Sequence, residues 1–160
     1  MKFILFSFIL FLSISGYSQT PEVIDFDPLE KRWSNSNDTL YVINYWATWC
    51  IPCIEELPDF IKLDQEMKEE KFKMILVSLD FPSHADSRVL PFIRKHNITT
   101  EVVILDDDAN VWIDRVNKSW DGAIPATQFI RNQNKEFYKE QLSHERLLQI
   151  VNKYFEPKNK

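Results

Sequence analysis

A run of apolar, β-favouring residues, Leu40 to Trp46, leads within four positions into Cys50-Ile51-Pro52-Cys53, and a helical pattern follows. That junction constrains the fold more than any other stretch of the chain. The run is apolar enough to be buried on both faces, which asks for a sheet covered by helices on either side. Cys50 and Cys53 are the only two cysteines in 160 residues. After a strand and at a helix start, a Cys-x-x-Cys pair reads as a dithiol/disulfide redox centre. Two side chains three positions apart share one helical face. The first thiol meets unpaired backbone N–H groups and the positive end of the helix dipole, which favour the thiolate. The thiolate is the species that attacks disulfides. Cys50 is therefore read as the attacking sulfur and Cys53 as the resolving one.

Other uses of the pair fit less well. A purely structural disulfide would close so small a loop that it would add little stability. A zinc site needs about four ligands. His84, His96 and His144 have no close Cys/His spacing, and they read as surface residues. Asp106-Asp107-Asp108 reads as a turn and helix cap, because it lacks the spaced ligands of a calcium loop. No metal is expected.

The start of the chain bears on compartment. Met1-Lys2 is a short positive beginning, Phe3 to Ile14 is almost wholly apolar, and Ser15-Gly16-Tyr17-Ser18 supplies small residues for a cut after Ser18. This is the order of a secretory signal peptide. The apolar stretch falls short of the roughly 20 residues that span a bilayer. The expectation is a signal peptide over residues 1–18 and export to the periplasm or cell envelope, with an uncleaved N-terminal anchor as the alternative. Outside the cytoplasm disulfides form and persist. The remaining 142 residues, 19–160, suffice for one domain, with its core at about 23–155. A formal charge of −5 without a basic block gives no reason to expect nucleic acid.

The patterning alternates strand and helix. Strands are expected at Val23–Phe26, Leu40–Trp46, Phe72–Leu79, Glu101–Leu105, Ala126–Ile130 and Glu136–Lys139. Asp27 is placed as the N-cap of a short helix with Pro28 in its first position. Helices are also expected from Ile51 to Glu70, kinked at Pro58, from Ser83 or Asp86 to His96, and at Ala109–Val116. Asn132-Gln133-Asn134 reads as a hairpin turn, and Ser143 as the cap of a last amphipathic helix. The fold class is α/β, with a mixed sheet flanked by helices on both faces.

With Trp46-Ala47-Thr48-Trp49-Cys50-x-Pro52-Cys53, Glu56, Pro58 and Ile124-Pro125-Ala126-Thr127 in view, the chain resembles the thioredoxin fold. Within it, the chain is similar to the extracytoplasmic TlpA/ResA-like thiol–disulfide oxidoreductases. The resemblance implies a three-layer thioredoxin-like domain, with residues Phe81 to Asp114 as the extra helix and strand of this subgroup. On the residues alone Pro125 is an ordinary proline at a strand start. The resemblance implies that Ile124–Pro125 is cis and packed against the cysteines, leaving the Ile124 main chain to pair with an extended substrate. Trp49, Ile51 and Pro52 would then flank the nucleophile. Trp120 fits either the border of that groove or a packed loop anchor. Sequence alone does not choose between Glu55 and Glu56. The resemblance selects Glu56 as a buried acid of raised pKa that relays a proton. Asn44 stands where cytoplasmic thioredoxins carry a buried aspartate, and Thr127 reads as a strand residue.

The reaction implied is reduction of partner disulfides by dithiol exchange, without an organic cofactor, in a monomer serving cell redox homeostasis. The resemblance points to disulfide-bearing envelope proteins as partners, apocytochrome c and cytochrome c maturation among them. It points to a membrane thiol reductant of the DsbD or CcdA type for recharging. Three rivals stand beside this reading. One is an oxidase or isomerase using the same pair. Another is a redox-silent peptide-binding module. The third is a peroxidase, whose Pro-x-x-x-Thr-x-x-Cys setting the residues before Cys50 do not provide.

Overall fold

The computed structural model describes residues 20–34 and 37–156, and its centre is β2 (Leu40–Trp46). All seven residues of β2 are buried. Alternation sends Leu40, Val42 and Trp46 into one core with Leu57, Phe60, Leu63, Ile150 and Val151. Tyr41, Ile43 and Tyr45 enter a second core with Leu29, Trp33 and Trp112. Two cores on opposite faces of one strand make the three-layer arrangement expected from the apolar run. The expected signal segment, residues 1–18, lies outside the described residues. Among the described residues no helix is long and apolar enough to cross a membrane.

Six strands form one mixed sheet in the order β1-β4-β3-β2-β5-β6. β1 (Glu22–Ile24), β4 (Glu101–Leu105), β3 (Phe72–Ser78) and β2 run parallel. β5 (Ala126–Arg131) is antiparallel to β2, and β6 (Asn134–Tyr138) to β5. α1 (Phe26–Ser34) and α4 (Ala109–Val116) supply the second core. α2 (Ile51–Glu66), α3 (Leu90–Lys95) and α5 (His144–Phe155) supply the first. Register brings the site together: Trp46 pairs with Ser78 of β3, and Tyr45 pairs with Ala126 of β5. The residues after β2, after β3 and before β5 therefore converge at one end of the sheet.

The elements match the sequence expectation apart from shifted ends, such as β1 at Glu22–Ile24 instead of Val23–Phe26, and four larger differences. α1 begins at Phe26, so Asp27 is not its cap; the Asp25 carbonyl accepts the Leu29 N–H, and Asp27 pairs with Arg115. α2 runs through Pro58 but ends at Glu66, four residues early. There the chain turns, with Glu70 N–H on the Met67 carbonyl, to bring Phe72 opposite Leu40. The helix expected from Ser83 or Asp86 to His96 is broken into a 3₁₀ turn at Pro82–His84, a π-helical stretch at Ala85–Val89 and α3. Pro91 has no N–H for the carbonyl four residues back, which favours a break here, although α2 accommodates Pro58 without one. β6 starts at Asn134 because Asn132 adopts φ 57° and closes the hairpin tightly, a task asparagine performs nearly as well as glycine.

Gly122, in the loop before β5, has φ 85°, and a Cβ there would meet Ile113 Cδ1 at 3.0 Å. Both facts favour glycine. Gly122→Ala is expected to lower the unfolding free energy by about 1–2 kcal/mol in chemical denaturation.

Candidate active site

The loop between β2 and α2 is only Ala47 to Cys50, and it is held from below by β3. Leu79 N–H donates to the Trp46 carbonyl at 2.8 Å. The buried carboxylate of Asp80 accepts the Thr48 N–H at 2.8 Å, the Thr48 hydroxyl at 2.6 Å and the Ser78 hydroxyl at 2.8 Å. These contacts deliver Cys50 as the N-cap of α2. Its Sγ accepts the Cys53 N–H at 3.3 Å, within a Cys50–Cys53 disulfide. Cys50 keeps 6% of its surface exposed and Cys53 none. Of the two cysteines, the one at the helix start is the one that keeps any exposure.

Of the expected flanking residues, Ile124 approaches the Cys50 sulfur, and Trp49, Ile51 and Pro52 stand beside Cys50 in sequence. Ile124–Pro125 is cis, and the Ile124 carbonyl oxygen lies 3.8 Å from Cys50 Sγ. Pro125 and Ile124 are half-buried. Trp49 and Ile51 are exposed at 59% and 70%, and Pro52 is exposed in the first turn of α2. Trp120 is a loop anchor, not a groove wall. It is buried against Tyr45 and Trp112, and its Nε1–H donates to the Ala123 carbonyl at 2.8 Å.

One turn beyond Cys53, Glu56 is buried while Glu55 is exposed. The choice between them follows from the face that α2 turns to β2. Glu56 Oε1 accepts the Asn44 Nδ2–H at 2.8 Å, and Oε2 accepts the Leu142 N–H at 2.8 Å. Asn44 Nδ2 also donates to Thr127 Oγ1 at 3.1 Å. Burial pushes the Glu56 carboxyl up to about 7, against the two hydrogen bonds, which lower it, and with a small further rise from Asp59. An acid with that value holds or releases a proton near neutrality.

Sequence reasoning missed Asp80. Its signal was available: an aspartate two residues after a buried strand, beside a loop that carries a free threonine hydroxyl. It also missed the exposure of Phe81, at 72%. The other polar candidates are structural. Asp108 caps α4 by accepting the Asn110 N–H, and Asp107 accepts the Phe26 N–H. His96 is exposed, His84 is half-buried against Phe81, and His144 joins α5 to α2 through Glu66 at 2.8 Å. A 670 Å³ concavity lined in part by Asp38, Arg131 and Lys153 lies at the other end of the sheet, away from the sulfurs.

Comparison with known proteins agrees with this geometry. The AhpC/TSA family pattern matches residues 24–135. The chain belongs to the AhpC/TSA family. Among curated relatives of this family member, the thiol-disulfide oxidoreductase ResA of Oceanobacillus iheyensis is 34% identical over 90 residues, covering 56% of this chain and 43% of that one. The thioredoxin-like protein YneN of Bacillus subtilis is 32% identical over 65 residues, covering 39% of this chain and 36% of that one. The matches thus span less than half the length of either relative. In fold, the chain is similar to a thioredoxin-related protein from Neisseria meningitidis serogroup B, with TM-score 0.64, 18% identity, and coverage of 74% and 87% of the two chains. The fold is thioredoxin-like.

Two outcomes follow from the buried carboxyls. Asp80→Ala leaves three donors without an acceptor and is expected to lower stability by about 1–3 kcal/mol, whereas Asp80→Asn, which keeps an acceptor for the Thr48 N–H, loses less. Glu56 carries a pKa of about 7 in the fold against 4.5 ordinarily, so the folded state binds its proton more tightly. That stabilisation is complete below the ordinary value and is lost as pH rises through the folded one. The stability of the oxidised wild type relative to Glu56→Gln is expected to fall by on the order of 3 kcal/mol across that window, read from denaturant titrations at a series of pH values.

Proposed function

We propose that this protein is a thiol–disulfide oxidoreductase of the bacterial cell envelope that reduces disulfides in partner proteins. One observation carries the reading: a Cys-x-x-Cys disulfide at the start of α2, with Cys50 retaining 6% exposure beside the Ile124 carbonyl and Cys53 fully buried. The reduced protein acts first through Cys50. Its thiolate is favoured by the Cys53 N–H and the α2 N-terminus. It attacks one sulfur of a partner disulfide, and the other sulfur leaves as a thiolate that takes up a proton. A mixed disulfide now joins partner and Cys50. Cys53 gives up its proton to Glu56 and attacks Cys50 Sγ, which closes the Cys50–Cys53 bond and expels the second partner thiolate. Two electrons have passed from the dithiol to the partner.

Trp49, Ile51, Pro52 and Ile124 are the surface against which the partner segment lies, with the Ile124 main chain beside it. Pro125 keeps an N–H donor away from the sulfurs. A peroxidase would carry Thr three and Pro seven positions before its cysteine, but here Ala47 and Ile43 occupy those positions. Residues 1–18 are proposed as a cleaved signal peptide and 19–160 as the single working domain, which acts as a monomer in the periplasm. Re-reduction then falls to a membrane thiol reductant of the DsbD or CcdA type. Disulfide-bearing envelope proteins, apocytochrome c among them, are the substrates.

The test joins activity to potential. Reduced wild type is expected to reduce insulin and Cys50→Ser to be inert, with a Cys50–Cys53 potential near or below about −250 mV by exchange with a thiol buffer. A potential of about −120 to −180 mV would make the protein a donor or shuffler of disulfides. Wild type that fails to reduce insulin while its thiols are reduced would leave a peptide-binding module.

A further inference from the structure

Asn44, Glu56 and Thr127 form a polar group inside an apolar core, and all three are buried. Their hydrogen bonds are one-sided. Asn44 uses Nδ2 for both Glu56 Oε1 and Thr127 Oγ1, while Asn44 Oδ1 is buried without a partner. That arrangement suits an ionised Glu56, which accepts at both oxygens. It does not suit a protonated one. The Leu142 N–H on Oε2 belongs to the backbone and is a donor in either state. An added proton is therefore favoured on Oε1, facing Asn44, where it would meet an Nδ2–H head-on.

We infer that Asn44 is a positioning residue whose side-chain amide reverses when Glu56 takes up a proton, so that the buried carboxyl has partners in both states. The two ends of an amide have nearly the same shape, so the reversal needs no repacking of the core, although it moves the Nδ2–H groups to the buried place where Oδ1 now has no partner. After it, Oδ1 stands where Nδ2 stood and accepts the Glu56 hydroxyl. Thr127 follows, because a hydroxyl both donates and accepts; it gives its proton to Oδ1 instead of accepting from Nδ2. A leucine or aspartate at position 44 could not serve both states. The inference deepens the proposed function and rests on Glu56 exchanging a proton with the cysteine pair.

The surroundings leave this work to Asn44. From α2, Asp59 is the charged neighbour that acts on Glu56, and it accepts the His144 N–H. From β2 and β5 the facing groups are the neutral Asn44 and Thr127, and from the loop before α5 the Leu142 N–H. The thiols of Cys53, one turn back along α2, and of Cys50, two turns back at its cap, are the other titratable groups when reduced.

The experiment is an NMR titration of the oxidised protein, following the Glu56 carboxyl carbon and the Asn44 side-chain amide together. Above the Glu56 midpoint, the Asn44 NH₂ protons are expected to show cross-relaxation to the Glu56 and Thr127 side chains; below it those contacts disappear, with one shared midpoint. Glu56→Gln supplies the second variant. Its amide must turn Oε1 to the Leu142 N–H and its NH₂ to Asn44, so Asn44 is expected in the reversed orientation at every pH. Contacts that persist unchanged on both sides of the midpoint, or in Glu56→Gln, overturn the inference. So does a Glu56 that does not titrate between about pH 5 and 9, a range that brackets the pKa a buried carboxyl reaches. The proton relay itself fails separately: a Glu56→Gln protein that reduces insulin as fast as wild type across the same range sinks the relay and leaves the reversal to the spectra.

Discussion

A strand buried on both faces has to hand over to the start of a helix in four residues, and the rest of the site depends on how that is done. Burial fixes where β2 stands. Trp46 and Tyr45 are fully buried on opposite faces, and removing an aromatic of this kind from a core costs about 3–5 kcal/mol. The loop contacts are weaker, about 1–3 kcal/mol for a buried donor left unpaired. They decide direction instead. Asp80 and Leu79, just past the end of β3, grip Thr48 and Trp46, and the Cys50 N–H returns to the Ala47 carbonyl at 3.1 Å. The chain can then leave β2 only as the first turn of α2, with Cys50 at its cap. Position is set by hydrophobic burial, and orientation by one carboxylate.

Glu56 is under a different constraint. Taking a carboxylate out of water costs several kcal/mol, and two hydrogen bonds offset only part of that. The remainder appears as the raised pKa. The same side chain also fastens the loop before α5 to α2 through Leu142, and Asp59 and Glu66 add contacts to His144 one and three turns further along. A group that joins two helices while holding an exchangeable proton couples packing to chemistry. This explains why a polar network interrupts an apolar core at this point and not elsewhere along β2.

Much of this was legible in the residues. The apolar run gave β2 to the residue, Ser143 gave the cap of α5, and the Cys-x-x-Cys spacing gave the disulfide. What was not legible depended on information that local sequence does not carry. The stretch from Glu66 to Lys71 consists of good helix formers, so nothing local stops α2; the stop comes from the pairing of Phe72 with Leu40. Glu55 and Glu56 are the same residue type side by side, and only the packing of α2 on β2 separates them. Asp80 is invisible as an anchor until β3 is known to lie beside β2. The cis bond before Pro125 was implied by resemblance alone, because a proline at a strand start is usually trans.

Among the described residues five large hydrophobics are exposed, and three of them, Trp49, Ile51 and Phe81, adjoin Cys50 or Asp80. Scattered apolar exposure is ordinary, but here it gathers where the loop is most rigidly held. A nucleophile for exchange with a protein disulfide has to be reachable by another chain and yet sit in a fixed geometry. Burying these side chains would add stability and close the approach to Cys50; leaving the loop unanchored would open the approach and lose the cap. Asp80 resolves that conflict, because it holds the loop through Thr48, whose side chain points inward, and leaves Trp49 outside.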